Sequence, residues 1–284
     1  MNTSTKQTEN LAECGNKSKP LLSPVRIFNG DCLEIMKTIP DCSIDMILCD
    51  LPYGTTQCKW DNIIPMNILW EQYRRIIKDN GAIVLFGSEP FSSLLRTSNI
   101  KMYKYDWYWL KNKPQGFLNA KKMPLKNYET VSVFYKNPPI YNPQGLVKID
   151  RVVKNTGTKN STSLKENGDK TSANNAIKNV FYNQEFTNYP TQTLEFSNSS
   201  GKGNLHPTQK PIDLCEYLIK TYTNEGDIVL DNCAGSGTTG IACINTNRSY
   251  ILIEKEEKYF DIINERVAKH TQQRAEEFSF ENEL

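Results

Sequence analysis

The sequence lacks any run of apolar residues near the roughly 18 that a membrane-spanning helix requires. Residues 1–24 also lack the apolar centre of a secretory signal, and their polar composition predicts a disordered leader. No C-x-x-C pair occurs among the eight cysteines, which argues against a zinc site and against a disulfide framework. We therefore expect buried free thiols, no metal and a cytoplasmic location.

An excess of charge of one sign is also missing, because 34 basic and 32 acidic residues leave a net charge of only +2. The distribution is nevertheless uneven. Residues 101–210 hold 17 basic and seven acidic side chains, a net charge of +10, and the remainder of the chain is acidic. Such a basic segment suggests a polyanionic partner, with a solvated lysine-rich surface as the alternative. Within it, the alternation in YDWYWLK favours core packing for Trp107 and Trp109 over base stacking.

Two blocks of the chain alternate apolar strands with amphipathic helices, and this pattern predicts a doubly wound, mostly parallel α/β sheet. The first block covers residues 25–110 and the second covers residues 205–284. The segment between them, residues 111–204, mixes lysines with aromatic residues and does not follow the pattern. It contains a polar stretch at about 152–180 that we expect to be a flexible loop.

Two predicted strand ends carry groups suited to chemistry. The segment IDMILCDLPYG is a buried strand that stops at a glycine, with Asp50, Pro52 and Tyr53 at its carboxyl end. Ligands bind at that edge of open α/β sheets, although a plain strand and turn is the alternative. The segment IVLDNCAGSGTTG reads as a strand, a glycine-rich turn and a helix start. Glu254 ends the next strand about 20 residues later, where an acid can bind the ribose of a nucleoside-bearing cofactor.

Three motifs in this order resemble those of the DNA amino-methyltransferases. They are D-L-P-Y-G at 50–54, H-P-T-Q-K-P at 206–211 and D-N-C-A-G-S-G-T-T at 231–239. The order is similar to that of the β group of the family, in which the catalytic motif comes first and the cofactor motif last. The resemblance covers roughly residues 25–268. It implies a Rossmann-like, S-adenosylmethionine-dependent methyltransferase fold with an inserted target-recognition region.

The resemblance also implies how the catalytic motif works. Asp50 and a main-chain carbonyl of the Leu51–Pro52 step would accept the N–H groups of a base amine, while Tyr53 would stack on the base. The carboxylate helps more in the transition state than before it, because the amine becomes cationic as it attacks. Leu51 departs from the family by replacing the first proline of D-P-P-Y. Asn232-Cys233 replaces the usual Pro-Phe, which removes one expected apolar contact to the cofactor.

Further residues are implied around the cofactor and the DNA. The expected cofactor-binding residues are Asp31, Cys32, Asp50, Thr208, Lys210, Asp231, Cys233, Ala234, Gly235, Ser236, Gly237, Thr238, Thr239, Glu254 and Lys255. A helix N-cap is a second role for Asp31 that can coexist with the first. Lysines of the basic segment are expected to bind the phosphates of double-stranded DNA. The expected DNA-binding residues are Lys111, Lys113, Lys121, Lys122 and Lys126.

The resemblance therefore implies a site-specific DNA methyltransferase that acts on the exocyclic N6 of adenine by base flipping. An acid in the first motif position leans toward adenine in the family that the chain resembles. An N4-cytosine DNA methyltransferase is the alternative within that family, and a catalytically decayed DNA-binding module is the alternative outside enzymes. A homodimer and a cognate restriction enzyme are further partners that the resemblance suggests.

Overall fold

A computed structural model describes residues 25–55, 61–154, 181–197 and 209–281 of the protein. The predicted leader, most of the predicted flexible loop and Thr208 lie outside these ranges. The helices, in chain order, are α1 (Cys32–Met36), α2 (Met66–Ile76), α3 (Phe91–Ser98), α4 (Ile212–Tyr222), α5 (Thr238–Asn245) and α6 (Glu257–Glu281). The strands are β1 (Val25–Asn29), β2 (Ile44–Cys49), β3 (Ile77–Gly87), β4 (Tyr103–Gln115), β5 (Lys126–Phe134), β6 (Val147–Lys154), β7 (Phe181–Thr187), β8 (Thr193–Glu195), β9 (Ile228–Asp231) and β10 (Ser249–Glu254).

The main sheet has eight strands in the order β1-β10-β9-β2-β3-β5-β4-β8. The first five strands in this order run parallel to one another. Strand β5 runs antiparallel to both of its neighbours, and β8 runs parallel to β4. The predicted mostly parallel sheet is therefore confirmed.

Two apolar clusters cover the two faces of this sheet. On one face, Leu48 of β2 belongs to a cluster with Leu218 of α4 and Ile241 of α5. On the other face, the preceding residue Ile47 belongs to a cluster with Leu69 of α2. Successive residues of a strand point to opposite faces, so a strand that is apolar at both positions must be covered on both sides. This is the doubly wound arrangement that the alternating strands and helices predict.

The helical spacing of PMNILWEQYRRIIKDN predicts a helix that ends at Asn80–Gly81, but helix α2 ends at Ile76. Ile77 already has an extended backbone (φ −71°, ψ 138°) and pairs with Ile44 of β2. The Lys78 Nζ atom lies 2.5 Å from Asp45 Oδ1, so the next residue is also tied to that strand. Strand pairing and this ion pair outweigh the local helical preference.

The chain divides into two units, and the smaller one comprises residues 143–191. In this unit β6 and β7 pair in antiparallel register. Strands β4, β5 and β8 belong to the larger unit, although the sequence assigns most of their residues to the target-recognition region. The predicted domain boundaries and the recognition role of residues 111–204 stay predictions.

Both tryptophans of β4 are buried, which confirms their predicted core packing. Trp107 Nε1 donates a hydrogen bond to Tyr222 Oη at 2.7 Å. Trp109 Nε1 donates to the carbonyl oxygen of Phe196 at 2.9 Å. Both indole N–H groups are therefore satisfied inside the protein.

Within the described ranges, no helix is long and apolar enough to cross a bilayer. The same ranges contain no group of three or more His, Cys, Asp or Glu side chains that could hold a metal ion. Five cysteines are free thiols, as predicted: Cys32, Cys49, Cys215, Cys233 and Cys243. Cys42 is disulfide-bonded, so the expectation of free thiols is wrong at this position. Spacing along the chain does not reveal a pair that only the fold brings together.

Candidate active site

The two motifs that the sequence places far apart meet at one edge of the main sheet. Strands β2 and β9 are parallel neighbours, with Ile47 paired to Leu230. Parallel neighbours end at the same edge, so Asp50, which follows β2, and Asp231, which ends β9, lie beside each other. Strands β10 and β1 continue the sheet on the side of β9, and they end at this same edge.

A cavity of about 450 Å³ opens at this edge, and most of the predicted site residues line it. Pro52 and Tyr53 of the catalytic motif are among them. The predicted cofactor-binding residues that line the cavity are Asp31, Cys32, Asp50, Lys210, Asp231, Cys233, Ala234, Gly235, Ser236, Thr238, Thr239, Glu254 and Lys255. Gly237 is not among the lining residues.

The glycine-rich turn after β9 is held in place by Glu254. The Gly235 N–H donates to Glu254 Oε2 at 2.7 Å, and the Glu256 N–H donates to Oε1 at 2.8 Å. Burial raises the pKa of Glu254, although these backbone hydrogen bonds act in the opposite direction. Gly237 has a φ of 79°, and a Cβ atom there would lie 3.1 Å from Ile263. Gly237 therefore shapes the turn and the start of α5, and does not face the cavity.

Asp231 and Asn232 fasten the start of the same turn. Asp231 Oδ1 accepts from the Cys233 N–H at 3.1 Å, and Oδ2 accepts from Thr239 Oγ1 at 2.6 Å. Burial raises the pKa of Asp231 to about 6, although both hydrogen bonds lower it. Asn232 is buried, and its Oδ1 accepts a hydrogen bond from Tyr73 Oη of α2 at 2.5 Å. The residue that replaces the usual proline thus has a partner of its own.

Asp31 has the N-cap role that the sequence offers as an alternative. Its Oδ1 accepts from the Leu33 N–H at 3.0 Å at the start of α1. Its Oδ2 lies 3.4 Å from Lys255 Nζ. Because Asp31 also lines the cavity, the cap leaves its predicted cofactor contact open.

Both carboxylate oxygens of Asp50 already have partners. Tyr53 Oη donates to Oδ1 at 2.6 Å, and Lys210 Nζ forms an ion pair with Oδ2. The Tyr53 ring stacks on Phe91, with ring centroids 4.9 Å apart and an interplanar angle of 22°. Burial and the charge of Asp50 raise the pKa of Tyr53, which keeps its hydroxyl a donor. The Leu51 side chain, which departs from D-P-P-Y, is buried in the apolar core.

The sequence reasoning missed a second carboxylate beside the catalytic motif, that of Glu129 on β5. Its side chain is 14% exposed, forms an ion pair with Lys111 and lies 3.5 Å from Lys210 Nζ. Glu129 Oε2 has no hydrogen-bond partner among the described residues. Burial would raise the pKa of Glu129, but the charges of Lys210 and Lys111 outweigh it and lower the pKa. The signal in the sequence is an acid inside the apolar alternation of ETVSVF.

Lys210 is the cation that both carboxylates share. Burial alone would lower the pKa of Lys210, but the attraction of Asp50 and Glu129 outweighs it and raises the pKa. With Lys111, these four side chains form a chain of alternating charges along one wall of the cavity. Its formal charges sum to zero.

The predicted DNA-binding lysines fall into two groups. The Lys111 side chain is only 5% exposed and is paired with Glu129, so its position does not support the predicted phosphate contact. Lys111 follows the buried Trp109 by two residues within β4, so its side chain leaves the strand on the same face, where it pairs with Glu129. The exposed lysines are Lys113, Lys121, Lys122 and Lys126.

Comparison with known proteins agrees with this geometry. A family model described as DNA methylase matches residues 44–265. The chain belongs to this family. The family covers methylation of adenine N6 and of cytosine N4. The predicted resemblance of this chain to the DNA amino-methyltransferases is therefore confirmed. S-adenosylmethionine is the cofactor of these enzymes.

Individual relatives are similar over most of the chain. Type II methyltransferase M2.MboI of Moraxella bovis is 27% identical over 266 residues, which cover 84% of this chain and 86% of that protein. DNA adenine methyltransferase YhdJ of Escherichia coli (strain K12) is 25% identical over 277 residues, which cover 93% and 88%. The crystal structure of an M1.HpyAVI–SAM complex is 26% identical, with a TM-score of 0.55, and covers 85% of this chain and 99% of that one. The predicted methyltransferase fold is thus confirmed.

Proposed function

We propose that this DNA methylase transfers a methyl group from S-adenosylmethionine to the exocyclic N6 of adenine at a specific site in double-stranded DNA. The observation that carries the proposal is the parallel pairing of β2 with β9. It brings Asp50 and the turn at 234–237 to one cavity, so that an amine held by the first faces a methyl donor held by the second. Holding two reactants in this way accounts for much of the rate in such transfers.

The groups that line the cavity suit S-adenosylmethionine. Glu254 accepts two backbone hydrogen bonds, and its carboxylate keeps further lone pairs for ribose hydroxyls. Asp31 offers another acceptor on the neighbouring strand end. Cys233 gives a smaller apolar surface than the aromatic residue that is usual there. When bound, S-adenosylmethionine supplies the methyl group.

Asp50 orients the amine and stabilises its developing charge. Each carboxylate oxygen has a second lone pair, so Asp50 can accept an amine N–H while Tyr53 and Lys210 remain in contact. As the amine lone pair forms the new bond to the methyl carbon, the S–CH3 bond would break and leave a neutral thioether, so the nitrogen would become cationic and then lose a proton to water. The negative charge of Asp50 stabilises that nitrogen, and Glu129 offsets the opposing charge of Lys210.

The target base must leave the duplex to reach Asp50. The amine of a paired base is hidden in the stack, and enzymes that act on it flip the nucleotide out at a cost of a few kcal/mol. Tyr53 lines the cavity and is already held against Phe91, so it offers a fixed ring for the flipped base. The exposed Lys113, Lys121, Lys122 and Lys126 can offset the cost by binding phosphates.

Adenine is preferred to cytosine because Asp50, an acid, holds the first position of the catalytic motif. YhdJ, the relative that covers the largest share of this chain among those compared above, is also named an adenine enzyme. Cytosine N4 is the second candidate, since the family covers both bases. A decayed DNA-binding module is disfavoured, because Tyr53 keeps its hydrogen bond to Asp50, the glycine turn keeps its hydrogen bond to Glu254, and both pairs line one cavity. A homodimer, a cognate restriction enzyme and a cytoplasmic location are predictions that this proposal does not require.

The proposal is tested by incubating the protein with methyl-labelled S-adenosylmethionine and unmethylated plasmid DNA. Digestion to deoxynucleosides should yield labelled N6-methyl-2′-deoxyadenosine, and sequencing should place it at one recurring site. Asp50→Ala should abolish transfer while cofactor binding by calorimetry persists, and Asp261→Ala, an exposed acid on α6, serves as the matched control. Labelled N4-methylcytosine would establish the second candidate, and the absence of any labelled base would refute both.

A further inference from the structure

The connection between β4 and β5 presents apolar side chains to solvent in an ordered turn. This hairpin tip, residues 116–125, begins at Gly116 with a φ of 90° and continues as a short 3-10 turn, Phe117–Asn119. The Ala120 N–H donates to the carbonyl of Phe117 at 3.0 Å, which fixes the turn. Phe117 is 82% exposed and Leu118 is 99% exposed. Among large hydrophobic side chains of the described residues, these two are the most exposed.

The base of the same hairpin forms part of the cavity wall. Gln115, at the end of β4, and Glu129, on β5, both line the cavity. Phe117 follows Gln115 by two residues, so the exposed apolar pair lies just beyond the cavity rim. Apolar side chains at this place would lie outside the cavity, next to the opening through which a base enters it.

The charge around the tip indicates what the apolar pair meets. The sequence from 107 to 128 contains no acidic residue. The exposed Lys121 and Lys122 lie within the tip, and the exposed Lys113 and Lys126 flank it. A surface that is apolar at its centre and cationic at its rim complements a duplex, whose stacked bases lie between two rows of phosphates. A symmetric contact between two copies of this chain would bring the lysines of both tips together.

We propose that Phe117 and Leu118 insert into the base stack and occupy the space that the target nucleotide leaves when it flips into the cavity. This inference rests on the proposed function and adds to it the residues that hold the duplex open. Apolar side chains inserted between base steps are a known way to stabilise an opened duplex. Here the wedge and the base pocket belong to one hairpin and its adjoining cavity, so insertion and capture of the base are geometrically linked.

The first experiment compares methyl transfer to two short synthetic duplexes that carry the site mapped by sequencing. In one the target is paired, and in the other it is mispaired and already easy to flip. Phe117→Ala/Leu118→Ala should lose roughly 10- to 100-fold in kcat/KM on the paired duplex, and most of this loss should disappear on the mispaired one. Ile100→Ala is the matched control, because this residue is 63% exposed but precedes β4 at the opposite end of the strand. Equal kcat/KM for the variant and the wild type on the paired duplex would overturn the inference.

A second experiment does not depend on methyl transfer. Wild-type protein should bind a duplex with a single abasic site, which leaves a gap in the base stack at the target position, more tightly than the intact duplex. The double variant should lose this preference for the gap. A variant that keeps the preference contradicts insertion. So does a variant whose main change is dissociation of a dimer in sedimentation, which would assign the tip to a second copy of the chain. If the wild type shows the gap preference but methylates neither duplex, the proposed function fails while insertion stands.

Discussion

The ion pair between Glu129 and Lys111 makes a quantitative prediction about stability. Glu129→Gln removes a carboxylate that faces two buried ammonium groups, those of Lys111 and Lys210. Removing one partner of a buried ion pair costs about 3 to 5 kcal/mol, because the remaining charge stays desolvated and uncompensated. For a chain of this size, such a loss lowers Tm by roughly 6 to 15 °C. Asp50 still pairs with Lys210, so Lys111 bears most of the loss.

A double-mutant cycle separates this effect from simple loss of packing. Lys111→Met removes the stranded ammonium group, so the double variant Glu129→Gln/Lys111→Met should be no less stable than Glu129→Gln alone. Urea unfolding followed by circular dichroism measures the four free energies, and we expect a coupling of at least about 2 kcal/mol. Additive losses would refute the reasoning, because they would mean that the two charges do not compensate each other.

A control variant and the pH dependence of the stability difference test whether the effect of Glu129→Gln is electrostatic. Glu34 and Lys37 form an exposed ion pair on α1, and Glu34→Gln should cost less than about 1 kcal/mol. The pKa of Glu129 is lowered in the folded protein, so its ionised form contributes stability that is present above the unfolded pKa and is lost as the pH falls through the folded pKa. The difference between the wild type and Glu129→Gln should therefore shrink in acid. A difference that stays constant with pH would contradict an electrostatic origin.

Three further results are expected from other parts of the site. Glu254→Gln should weaken S-adenosylmethionine binding roughly tenfold or more in calorimetry, since a charge-assisted acceptor becomes a neutral one; an unchanged Kd would exclude the ribose contact. The pKa of Asp231 is raised to about 6, so the folded state binds the extra proton and stability should fall by up to about 3 kcal/mol as the pH rises from 4 to 6. Asp231→Asn should lack this fall in stability between pH 4 and pH 6. Identical curves of stability against pH for the two proteins would contradict a raised pKa of Asp231. Lys121→Ala/Lys122→Ala should reduce the slope of log affinity for DNA against log salt by about 2, and an unaltered slope would move the DNA elsewhere.

The sequence predicts those parts of the site that follow from sheet geometry. Apolar runs that end in Asp50 and Asp231 are recognisable as strands, and parallel strands must release their carboxyl ends at one edge. The positions of Trp107 and Trp109 follow equally well from period-two alternation. These features depend on local pattern and on one topological rule, so a single sequence is sufficient for them.

The charge network needed the folded structure. Lys210 and Asp50 are far apart in the chain, and neither residue's neighbours indicate that the two side chains meet. Lys111 looks like one more lysine of a basic segment until the register of β4 against β5 places it beside Glu129. Side-chain pairing across strands depends on register, and β4 shifts register between Leu110 and Gln115.

The hydrogen bond from Tyr73 to Asn232 restricts which pairs of residues can occupy these two positions. A proline at 232, as is usual in the family, has no side-chain oxygen, and the buried phenol of α2 would lose its acceptor. The stability contributed by tyrosine at 73 therefore depends on asparagine at 232. A homologue with proline at 232 should therefore carry phenylalanine at 73, and Asn232→Pro or Tyr73→Phe made alone should give a less stable protein than the two made together.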